Sequence, residues 1–79
     1  MDDERIVLDL SRAEALVLFE WLARCDDTSS FSFEHEAEQK VVWTLEGHLE
    51  KALPEVLDAD YKLRLDRARE RVFDGGDAS

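Results

Sequence analysis

Side chains capable of covalent or metal chemistry are few in this chain, and their spacing limits what they could do. Cys25 is the only cysteine, and His35 and His48 are the only histidines. None of them stands at the intervals of a CxxC or HExxH site, so a dedicated metal centre has no ligand frame. Asp26-Asp27-Thr28 offers oxygen ligands. It lacks the alternating ligands, central glycine and terminal glutamate of a calcium loop. Gly47, Gly75 and Gly76 are the only glycines, which leaves no loop to cradle a phosphate. No nucleophile-elbow pattern frames a serine. The expectation is a non-catalytic chain without metal or cofactor.

The residue types point instead to binding. Trp43 lies, by helical spacing, opposite a stripe of Val41, Leu45 and Leu49, among Glu36, Lys40, Gly47 and Glu50. An indole ringed by charge is the composition of a protein-binding hot spot. Gly47, one turn on, leaves room beside the indole and costs about 1 kcal/mol of helix propensity relative to alanine. Trp43, Glu36, Glu46, Glu50 and Gly47 are therefore the candidate partner-binding residues. The competing expectation is that another helix, or residues 6–10, covers Trp43 within the same chain. Leu63 and Phe73 also fall off their helix's apolar stripe, which fits a second buried surface such as a dimer contact. His48, near Val41 and Ala52 on the apolar arc, reads as a hydrogen-bonded core histidine. His35, among glutamates at a helix start, reads as solvated. Cys25 reads as a small core hydrophobe. Asp26/Asp27 and Glu34/Glu36/Glu38 read as a solvated face, with a docking edge for a partner's Lys or Arg as the functional alternative.

Three helices are expected to position these residues, over about 11–25, 33–53 and 59–73. Ser11-Arg12-Ala13-Glu14 is a capping box that opens the first. Ala15, Leu18, Phe19, Leu22 and Cys25 share one face of it, widened by Leu16, Ala23 and Trp21. An apolar arc this broad marks the central, most buried element. Asp26 to Ser32 is turn chemistry. Phe31 and Phe33 are expected to fold back on the core, with Ser30 or Ser32 capping the second helix. In the second helix Ala37, Val41, Leu45, Leu49 and Ala52 recur at helical spacing, with Val42 and Leu53 beside them, and Leu53-Pro54 ends it. Val56 and Leu57 follow as packing residues of a connector, and Asp58 or Asp60 is the cap of the third helix. Tyr61, Leu65, Ala68 and Val72 form that helix's stripe, and Gly75-Gly76 stops it. Before the first helix, Ile6, Leu8 and Leu10 alternate with Val7 and Asp9 as in a strand. No second convincing strand accompanies them, so the segment is expected as coil on the helices or paired with its own copy in a dimer. The fold class is all-α, one domain over 1–79, with frayed tails at 1–5 and 75–79.

Composition narrows the partner. The chain has 79 residues, 20 acidic against 10 basic, and a formal charge of −10. Residues 1–60 hold five basic and sixteen acidic residues, whereas residues 61–79 hold five and four. The overall acidity argues against direct nucleic-acid or anionic-membrane binding, which needs a basic face. The basic third helix is read as neutralising its own acidic body. The longest apolar run, Ala15 to Phe19, is far too short for a membrane span. The acidic Met1-Asp2-Asp3-Glu4 start lacks the basic region of a signal peptide. With a single unpaired cysteine, the expected location is the cytoplasm.

The segments EALVLFEWL from Glu14, FEHEAEQ from Phe33 and WTLEGHLEK from Trp43 resemble a group of small acidic bacterial proteins of unassigned function. That resemblance covers most of residues 6–72 and implies no catalytic residues. In size, charge and the Thr28-Ser29-Ser30 loop before an acidic helix, the chain is similar in type to colicin-like immunity proteins. Their adjacent tyrosine pair has no counterpart, since Tyr61 is the only tyrosine. The expected function is an acidic interaction module that binds and inhibits a basic protein, as an immunity protein or antitoxin does. A nucleic-acid mimic or anti-defence inhibitor, and a regulatory adaptor, are the alternatives. A partner of basic charge, or a second copy in a homodimer, is expected.

Overall fold

The structure, a computed structural model, describes residues 4–75. Its elements are α1 (Arg12–Asp27), α2 (Glu36–Ala52), a 3-10 turn (Pro54–Leu57) and α3 (Tyr61–Phe73). The all-α architecture is as expected, and no strand occurs among the described residues.

Local capping sets each boundary. The Ser11 hydroxyl accepts the Glu14 N–H at 3.0 Å, and the Glu14 carboxylate accepts the Ser11 N–H at 2.8 Å. The capping box thus forms as read. α1 runs two residues past Cys25, because Thr28 closes it rather than the aspartates. The Thr28 hydroxyl donates to the Arg24 carbonyl at 2.9 Å. Ser29 then adopts a left-handed φ of 57°, the conformation that usually falls to glycine after a helix. Neither Ser30 nor Ser32 caps α2. The ring Nδ1 of His35 accepts the Ala37 N–H at 2.9 Å, so α2 starts at Glu36 rather than at residue 33. Asp60 is the N-cap of α3, but its carboxylate takes the Arg64 guanidinium at 3.3 Å instead of a backbone N–H. Gly75, with φ of 74°, follows the last turn of α3.

α1 is the central element, as its broad apolar arc predicts. It packs against both α2 and α3, which do not pack against one another. Its buried residues are Ala13, Ala15, Leu16 and Leu22, meeting Leu49 and Leu53 from the chain around α2 and Ala68 from α3. Phe31 joins this core, edge-on to Trp21 at 5.9 Å and stacked on Phe33 at 5.3 Å. The α3 stripe holds, with Leu65 and Ala68 buried and Tyr61 and Val72 partly so.

The α2 stripe does not hold as read. Val41, Ala37 and Ala52 are exposed, and α2 packs instead through Val42, Leu45 and Leu49. Both arcs share Leu45 and Leu49. Leu53, just past the helix and 1% exposed, fixes the rotation in favour of Val42. His48 turns outward with Val41, so it is not a core histidine. In the 3-10 turn Val56 is partly buried, but Leu57 is exposed and does not pack. Residues 6–10 form no strand and are exposed throughout, so they do not lie on the helices. The tails read as frayed fall largely outside the described residues. Within the description, Glu4, Arg5 and Gly75 are exposed.

Two polar links tie the outer elements to α1. The Arg12 guanidinium engages the Glu55 carboxylate through Nε and through Nη2, the latter at 2.8 Å to Oε1. Nη2 also donates to the Ala52 carbonyl at 3.0 Å. The Arg12 hydrogen bond holds the buried Glu55 carboxyl below the usual carboxylate range. On the other side, the Tyr61 hydroxyl donates to Glu20 at 3.1 Å. Burial, followed by that bond, pushes the Tyr61 hydroxyl up to about 12.

Leu53 is the largest fully buried side chain. Leu53→Ala is expected to destabilise the fold by about 2–5 kcal/mol, the usual range for such a cavity. Denaturant unfolding measures it, and a loss below about 1 kcal/mol would mean that Leu53 is not the wedge between α2 and the 3-10 turn.

Candidate functional site

α2 carries one packed face and two open flanks. Helical residues step by about 100°, so Trp43 stands beside the packed Val42 rather than across the helix from it. Its indole is 51% exposed. The same flank carries Glu46 and Gly47 one turn on, Glu50 two turns on, and Glu36 two turns back. Glu36, Gly47 and Glu50 are exposed, and a Cβ built at Gly47 would meet nothing within 4 Å. Four of the five candidate residues therefore surround open space.

Glu46 differs from the other four. It is partly buried, at the edge of the packed face. Burial pushes its carboxyl pKa up, and the charges of Asp26 and Glu50 add to the shift. Asp26 enters this group because α1 continues past Cys25 and carries the residue towards α2. The sequence pattern alone places Asp26 in the loop. The signal that could have moved it was Thr28, a good closing residue three positions beyond the expected end. The resulting flank combines a half-exposed indole with a partly buried carboxylate, Glu46, that the charges of Asp26 and Glu50 oppose. Such an arrangement favours a cation or guanidinium over a neutral ligand.

The opposite flank of α2 is a shallow hollow of about 330 Å³ lined by Lys40, Val41, Thr44, Leu45 and His48. A second hollow, of about 250 Å³, lies where α3 meets the start of α1 and gathers Arg12, Arg64, Arg67 and Arg71 around Glu55. Its charge is partly answered from within, by Glu55 on Arg12 and by Asp58 and Asp60 on Arg64. That fits the reading of α3 as a helix that neutralises its own fold. His35 is exposed and occupied as a helix cap, and Cys25 is partly buried. Leu63 and Phe73, read as part of a second surface, are exposed. No group of three or more His, Cys, Asp or Glu is placed to hold a metal ion among the described residues. None of the described helices is long and apolar enough to cross a membrane.

Comparison with protein-family models, curated proteins and solved structures gives no match. No residue role is carried to this chain from a relative, and the site rests on its own geometry.

Two substitutions separate strain from structure on this flank. Glu46→Gln removes a charge that burial and two neighbours oppose, so it is expected to raise the unfolding midpoint at neutral pH. Because the folded pKa is raised, the wild type loses stability as pH rises through the carboxylate range. The difference between the two proteins should therefore close at acidic pH. Equal midpoints at pH 7 would show that Glu46 is not strained. Gly47→Ala, with open space at the new methyl group, is expected to stabilise α2 by about 1 kcal/mol in chemical denaturation.

Proposed function

We propose that this chain is a non-catalytic interaction module that binds and inhibits a basic protein, in the way of an immunity protein or antitoxin. The observation that supports it best is the half-exposed Trp43 on a flank shared with Glu36, Glu46 and Glu50. An acidic rim steers a basic partner and speeds its approach, an effect that salt screens. The arriving Lys or Arg relieves the crowding of Glu46, Glu50 and Asp26. Desolvation of the indole then supplies much of the affinity. Gly47 allows the partner's backbone close to the helix. Inhibition follows from occupying the basic surface that the target needs for its own substrate. The unpaired Cys25 supports a reducing compartment, and the cytoplasm is the setting proposed.

An arginine-rich peptide serves as the probe, titrated calorimetrically at low and high salt. Trp43→Ala is expected to cost about 2 kcal/mol of binding, which is more than tenfold in affinity. Glu46→Gln weakens the same binding while stabilising the free protein. Binding that is indifferent to both substitutions and to salt would overturn the reading, as would a fold that collapses on loss of the Trp43 ring.

A further inference from the structure

The most exposed apolar run in the chain lies in irregular backbone ahead of α1. Ile6, Val7 and Leu8 are 84%, 88% and 72% exposed. Between them, α1 and α3 leave a groove of about 330 Å³. Val17, Leu18 and Trp21 of α1 and Val72 of α3 form its apolar floor, and Trp21 is itself half exposed. Glu14, Arg24 and Arg69 stand on its rim. We propose that residues 5–10 of a second copy occupy this groove, and that two copies exchange these arms reciprocally to form a dimer.

Length, charge and direction support the second copy as occupant. Six extended residues span about 20 Å, and α1 from Glu14 to Arg24 covers about 15 Å. The arm therefore runs the length of the groove. Its apolar centre is flanked by Arg5 and Asp9, and the rim offers Glu14 towards one end and Arg24 at the other. Laid parallel to the host α1, the arm places Arg5 near Glu14 and Asp9 near Arg24, each against its opposite sign. α3 carries five basic and two acidic residues, so this is the side on which two chains of net charge −10 can approach.

The arm's own groove is disfavoured by charge. Folded back along its own helix, the arm runs antiparallel to α1 and sets Arg5 beside Arg24 and Asp9 beside Glu14, like charge against like. A second copy's arm, lying parallel to the host helix, avoids that repulsion. Reciprocal exchange also closes the assembly at two copies, because each copy supplies one arm and one groove.

Sedimentation of the full chain across the micromolar range tests the proposal. The expected result is a concentration-dependent rise from 9.1 kDa to twice that mass. Leu8→Asp, at an exposed position, should abolish the rise while cooperative unfolding persists. Asp9→Arg and Arg24→Asp should each weaken association about tenfold, the size of a close charge pair, and together restore it. In a Trp43→Phe background, Trp21 emission should shift to the blue as the dimer forms. A chain that stays monomeric overturns the proposal, and so does a dimer that ignores Leu8→Asp. A Trp21 shift independent of concentration would place the arm in its own groove, which also overturns it. The Trp43 reading stands or falls separately: Trp43→Ala should leave this dimer intact, and loss of the dimer there would count against the arm.

Discussion

One helix has to serve as the packing partner of two others, and most of the structure follows from that. α1 touches both α2 and α3, which do not touch each other. Its sequence is apolar around most of its circumference for this reason, with Glu20 and Arg24 as an i,i+4 pair in which Arg24 is exposed and Glu20 also meets Tyr61 of α3. The outer helices each need only one buried face. α2 meets that need with Val42, Leu45 and Leu49, and everything else on it is available to solvent or to a partner. A chain this short buries a small core, and a helix with only one face committed is where a binding surface does least harm to stability.

Polar links supplement the core where the chain changes direction. Arg12, at the first residue of α1, reaches across to Glu55 in the 3-10 turn and to the last carbonyl of α2. Tyr61, at the first residue of α3, reaches to Glu20 in the middle of α1. The two contacts sit at the start and at the middle of α1. They also separate charge. The basic side chains of α3 are drawn towards the acidic turn, while Asp26 stands at the end of α1 and Glu46 and Glu50 on the flank of α2. The acidic character of the molecule is concentrated by this division on the Trp43 side.

The fold was legible in the sequence where a single local rule dominates. The capping box at Ser11 and Glu14, the stop at Pro54 and the stripe of α3 each rest on one such rule. The α2 face was not, because two arcs overlap at Leu45 and Leu49, and only the burial of Leu53 selects Val42 over Val41. The true start of α2 was hidden because histidine is not among the residues usually read as caps. The candidate site shares this limit. Trp43, Glu36, Gly47 and Glu50 could be placed on one flank from spacing alone. The burial of Glu46 and the approach of Asp26 are tertiary facts that follow from the rotation of α2 and the extra length of α1.

The central claim is that the Trp43 ring stands outside the core in an acidic field. Collisional quenching of its emission tests this most directly, in a Trp21→Phe background at low ionic strength, with caesium and iodide compared. The account predicts that the cation quenches more strongly than the anion, and that added salt narrows the gap by screening the carboxylates. Blue-shifted emission that neither ion quenches would place the indole in the core and contradict the account.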